Sequence, residues 1–167
     1  MKTLKKSLTA ILFFIALMGD VLLVTAQKPP TAKEVAIKNL VDSQQYVFYA
    51  QNVTPMSGRQ RFLTTDYTVS VSKDSIISDL PFFGRAYSAP INPSDGGIKF
   101  TSTDFDYKLV PRKKGGWDIS IKPKDTPNGQ QFNLTVFENG TASLQATSTS
   151  RQPISFNGYI KERKFKQ

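Results

Sequence analysis

From residue 98 to residue 160 the chain alternates apolar and polar residues in short runs, and that alternation most constrains what it can fold into. Phe105, Tyr107 and Leu109 are separated by Asp106 and Lys108. Trp117, Ile119 and Ile121 are separated by Asp118, Ser120 and Lys122, and Phe132, Leu134 and Val136 by Asn133 and Thr135. Successive side chains on a strand point to opposite faces, so each run makes a strand with one apolar and one polar face. Turn chemistry falls between the runs: Gly115-Gly116 in the first gap, Asn128-Gly129 in the second, and Asn139-Gly140, the strongest short hairpin signal in the chain. Ala142, Leu144 and Ala146 answer on the next strand, and Ile154, Phe156 and Ile160 complete the series. Short strands at even spacing with turns between them specify an antiparallel sheet or barrel.

The segment before residue 98 adds one helix and more strands. Thr31-Ala32-Lys33-Glu34 is a capping box, and Val35, Ile37, Leu40 and Val41 follow at helical spacing, which predicts an amphipathic helix over residues 32–43. Tyr46, Val47, Phe48 and Tyr49 are strand formers, and residues 45–53 read as a strand. Residues 60–63 form a separate short strand, Tyr67, Val69 and Val71 mark a half-buried one, and residues 75–80 another. The expected class is α+β, mostly β. A short N-terminal helix packs on a curved antiparallel β-sheet meander, an open or partial barrel of about eight strands, a common sheet size. No repeat or linker divides residues 27–167, which form a single domain.

Residues 1–26 read as a secretory signal peptide. Lys2, Lys5 and Lys6 precede an apolar stretch from Leu8 to Met18, and Val24-Thr25-Ala26 is a small-residue cleavage site. Asp20 interrupts the apolar run before it reaches the about 20 residues a span needs, so the chain is not membrane-spanning after cleavage. The mature chain starts at Gln27 and is exported, periplasmic or extracellular. With no Cys it has no disulfide and no lipid anchor, and the core alone holds it together. The formal net charge is +9. In an exported chain such a surface suits solubility or an anionic envelope partner, and nucleic acid drops out.

One segment follows neither period: Leu80-Pro81-Phe82-Phe83-Gly84-Arg85-Ala86-Tyr87-Ser88-Ala89-Pro90. Pro81 removes a backbone donor and Gly84 frees the chain locally, which predicts a fixed aromatic loop crossing between two β regions. Its aromatics and Arg85 read either as a recognition surface or as a plug closing one end of a β core. The run from Leu80 to Tyr87, together with Gly97-Ile98-Lys99-Phe100 and the run from Ser150 to Gly158 (SRQPISFNG), resembles a family of secreted Bacteroidetes proteins, the domain of unknown function 4251 (DUF4251). The resemblance covers most of the chain after the leader. It implies source, compartment and a β-rich fold, and carries no site residues, because the family has no assigned activity.

The residue inventory narrows the chemistry. Without His or Cys there is no Ser-His-Asp arrangement, no thiol nucleophile and no zinc–thiolate site, and no phosphate or dinucleotide loop is present. No catalytic, cofactor-binding or metal-ligating residue is expected. Asp104 and Asp106, two apart on one strand, form the one carboxylate pair; they suit a hydrolase or a cation, or are a solvated polar face. Aromatics are the better lead: Phe82, Phe83, Tyr87, Phe100, Phe105, Tyr107, Trp117, Phe132 and Phe156 either line a concave ligand surface or fill an ordinary core. The candidate ligand or partner surface is Phe82, Phe83, Arg85, Tyr87, Trp117 and Arg151. The expected function is a non-enzymatic envelope domain that binds an unknown ligand or protein. Its rivals are a structural protein-interaction domain without a cavity and a carboxylate-dependent hydrolase.

Overall fold

The structure, a computed structural model, describes residues 29–87 and 96–163. The expected leader, Pro90, the turn residues at 92–95 and the tail beyond residue 163 lie outside the described residues. One helix, α1 (Ala32–Ser43), precedes nine strands: β1 (Tyr46–Pro55), β2 (Arg61–Val71), β3 (Ile76–Leu80), β4 (Ile98–Ser102), β5 (Phe105–Pro111), β6 (Trp117–Pro123), β7 (Gln131–Val136), β8 (Thr141–Thr147) and β9 (Ile154–Glu162).

The capping box forms as its spacing predicts. The Glu34 N–H donates to Thr31 Oγ1 (3.3 Å) and the Thr31 N–H donates to Glu34 Oε2 (2.7 Å). At the other end Gln44 takes a left-handed conformation (φ 56°) and its N–H closes back on the Leu40 and Val41 carbonyls. That turn feeds the chain directly into β1.

All pairings are antiparallel, in the order β4-β3-β2-β1-β9-β8-β7-β6-β5. Strand direction alternates along such an order, so its two outermost members, β4 and β5, run the same way. They are also consecutive in sequence, separated only by Thr103 and Asp104. They therefore act as one strand bent at its middle, whose first half pairs with β3 and second half with β6. The nine segments become an eight-stranded up-and-down meander, wrapped into a nearly closed barrel by the pairing of β9 with β1. The bend is stapled by Asp125, whose carboxylate accepts from Ser102 Oγ (2.5 Å), the Thr103 N–H (2.8 Å) and the Asp104 N–H (3.2 Å).

The barrel interior is the core. Tyr46, Phe48, Phe132, Phe156, Ile76 and Leu80 have no exposed surface, and Ile119, Ile121 and Leu144 are almost as enclosed. Two registers depart from the expected pattern. Between Ala50 and Asn52, β1 carries one extra residue against β9, so Ala50 and Val53, three apart, are both buried, while against β2 the extra residues lie on β2 itself. The expected gap between residues 60–63 and 67–71 does not exist. β2 is continuous from Arg61 to Val71, with exposed Thr64, Thr65 and Asp66 in its own irregular stretch. The barrel has two unlike ends. α1 lies at the end of Tyr46, Trp117, Val136 and Thr141, with Ile37 against Gly140. The loop after Leu80 lies at the opposite end.

Candidate functional site at the loop end of the barrel

β3 delivers Leu80 and Pro81 into the core, and Phe82 and Phe83 follow half-buried against it. The chain then surfaces: Gly84, Arg85, Ala86 and Tyr87 are all exposed, Tyr87 by 63%. The surfaced part is held, not loose. The Tyr87 N–H donates to the Ser150 carbonyl (2.7 Å), the Gln152 N–H to the Arg85 carbonyl (3.1 Å) and the Arg85 N–H to Gln152 Oε1 (3.3 Å). With the Ala86–Arg151 bridge, residues 85–87 form a short antiparallel strap on the β8–β9 connection.

Two arginines lock the aromatic pair. The Arg151 guanidinium sits 5.0 Å from the Phe82 ring centroid and its Nη1 donates to the Gly97 carbonyl at 2.6 Å. The Arg61 guanidinium sits 5.0 Å from the Phe83 ring centroid. The segment thus divides: Phe82 and Phe83 pack half-buried against the core as a plug would, while Arg85 and Tyr87 stand on the surface. Arg151 is a clamp rather than a free recognition group.

Trp117 is not part of this cluster. It is buried on β6 opposite Pro111 and Val136, at the helix end of the barrel. Alternation correctly assigns Trp117 an inward face but says nothing of which end it occupies. The concave aromatic surface is likewise core: Phe132 and Phe156 are fully enclosed, Phe100 packs on Phe132 (ring centroids 5.5 Å apart), and Tyr107 meets Tyr46 hydroxyl to hydroxyl at 3.2 Å.

Sequence reasoning missed the other half of this mouth. The β1–β2 connection and the start of β2 bring exposed Met56 (68%) and Phe62 (83%) to the same end as the strap. Exposed Arg59 and Arg61 come with them. Among the described residues no carboxylate lies within ion-pairing distance of Arg59, Arg61 or Arg85. The signal was Arg59-Gln60-Arg61-Phe62 directly after a Gly-bearing turn; its neighbourhood with residues 81–87 is a product of barrel closure.

Asp104 and Asp106 do share a face, as their spacing predicts, but it is the outer one. Their side chains are 69% and 64% exposed and both reach Lys124, at 3.9 and 2.5 Å. The Asp106 carboxylate holds the Lys124 ammonium above its ordinary pKa. An acid–base pair needs a desolvated cleft to separate its two carboxyls, and none surrounds them. Among the described residues no group of three or more Asp or Glu could hold a metal ion, and no helix is long and apolar enough to cross a membrane.

The fold has a solved counterpart. A crystal structure of a DUF4251 family protein from Bacteroides eggerthii superposes with a TM-score of 0.60 at 19% sequence identity, covering 80% of this chain and 89% of that one. No curated protein matches. The family model for the domain of unknown function DUF4251 matches residues 29–160, from just before the helix into the last strand, and the chain belongs to that family.

Proposed function

We propose that this is an exported, non-enzymatic domain of the bacterial envelope that docks a partner through the loop end of its barrel. One observation carries the reading: Arg59, Arg61 and Arg85, without carboxylate partners among the described residues, share one mouth with exposed Met56, Phe62 and Tyr87. Exposed apolar and arginine side chains together are the usual anchors of an interface. The strap hydrogen bonds and the two arginine–aromatic contacts hold this surface in place before a partner arrives, which limits the ordering cost of binding. The enclosed interior favours a partner on the surface over a ligand inside. Export rests on the leader-like residues 1–26, and the family's solved member from Bacteroides supports a bacterial source.

A second reading, a structural domain that pairs strands, is favoured by β5. It is the last strand of the hydrogen-bonded order, and among the described residues its outer edge has no partner strand, which suits β-augmentation. A photo-cross-linking residue placed at Tyr87 or at Val110 in cells of the source separates the two. A discrete adduct at position 87 that is lost with Arg85→Ala supports mouth docking. An adduct at position 110 alone supports the edge, and no adduct at either position in folded protein rejects both. N-terminal sequencing of the recovered protein checks export, with Gln27 expected as the first residue.

A further inference from the structure

We propose that a second site, at the opposite end from the mouth, binds a free single-chain carboxylate with a long aliphatic tail. An open groove of about 810 Å³ runs between α1 and the rim formed by β8 and β9. That size suits a small molecule rather than a folded partner. Its floor is apolar because the apolar stripe of α1 is wider than the rim beneath it. Ile37 and Val41 are buried, but Ala36 is exposed and Leu40 only half-buried. Ala36 and Leu40, four apart, lie on one side of the helix, and both line the groove along with Ile160.

The groove also carries a positioned cation. Tyr49 and Tyr159 stack on the outer wall with centroids 5.5 Å apart, and the Lys161 ammonium rests 4.9 Å from the Tyr159 centroid and 5.9 Å from that of Tyr49. This cation–π seat places the ammonium without using its hydrogen-bond donors on a carboxylate. Among the described residues neither Lys161 nor Lys33, the other cation of the lining, has an ion-pair partner. Glu162 is the one acidic residue of the lining; two residues from Ile160 in β9, it shares the face of Ile160 and borders the tail's end of the groove, while Lys161 lies on the other face. An aliphatic tail on Ala36, Leu40 and Ile160 with its carboxylate at Lys161 satisfies both features. A neutral amphiphile satisfies only one.

Calorimetric titration of the purified protein with dodecanoate monomer tests the site. The expected result is saturable binding to one site per chain, with dodecanol weaker. Lys161→Ala should weaken dodecanoate about tenfold, a loss of the size of one charge contact, and Ala36→Trp, a change at an exposed position, should block it. Arg85→Ala should leave it unchanged, since the site is independent of the mouth. Absence of saturable dodecanoate binding by folded protein overturns the proposal, as does binding that neither Lys161→Ala nor Ala36→Trp alters. Attachment to phosphatidylglycerol vesicles without binding of the free monomer also overturns it, in favour of a membrane-facing surface.

Discussion

The buried hydroxyl pair of Tyr46 and Tyr107 is the most consequential polar contact inside the barrel, because it joins β1 to β5 across the interior. Burial, more than the neighbouring hydroxyl, raises the Tyr46 pKa well above its ordinary value, and burial raises that of Tyr107 in the same direction. A phenol whose folded pKa is raised stabilises the fold fully below the unfolded value of about 10 and loses that contribution as pH rises toward the folded value. Stability measured by urea unfolding should therefore stay flat up to about pH 10 and fall beyond it, with a shallower fall in Tyr46→Phe. At neutral pH Tyr46→Phe should cost about 1–2 kcal/mol, since it strands the Tyr107 hydroxyl in a mostly enclosed place. The double variant Tyr46→Phe/Tyr107→Phe should cost less than the sum of the two single changes.

Among the elements, the β1 bulge sets the tightest local demand. Gly158 on β9 faces Ala50 just before the bulge, and a Cβ there would lie 1.8 Å from the Tyr49 carbonyl oxygen. Backbone cannot yield as a side-chain tip can, so Gly158→Ala must push β1 and β9 apart at the seam that closes the barrel. We expect a loss of more than about 2 kcal/mol in a urea melt; a loss below about 0.5 kcal/mol would show that the strands part freely. Most elements were legible locally. α1 matches its predicted bounds because cap and stripe lie within one helix, and the strands from β4 to β9 follow runs of alternation. β2 was not legible as one strand, because its two paired ends, Arg61-Phe62 and Tyr67–Val71, are joined through residues 63–66, which oppose no residue of β1 and break the alternation.

For the whole molecule, closure depends on the bent β4–β5 strand, and closure is where Asp125 acts. Its hydrogen bond from Ser102, then that from the Thr103 N–H, hold its carboxyl below the ordinary pKa. A carboxylate with a depressed pKa stabilises the fold above its unfolded value of about 4, and that contribution disappears as pH falls through the folded value. Unfolding midpoints between pH 7 and pH 2 should thus show an acid-side loss in the native protein that is smaller in Asp125→Asn, whose stability at pH 7 is already lower. The sequence by itself determined the helix, most of the strands and their inward and outward faces, the turns, and the poverty of catalytic groups, because each of these is written within a few neighbouring residues. It also singled out residues 80–87 as irregular. Only the tertiary structure decided that Phe82 and Phe83 are plug while Arg85 and Tyr87 are surface, that Trp117 sits at the far end, and that Arg61 and Phe62 join the mouth. Alternation fixes which face a side chain takes, but the end of the barrel it occupies and the neighbours it meets follow from strand order and closure, which are set by pairings between residues far apart in the chain.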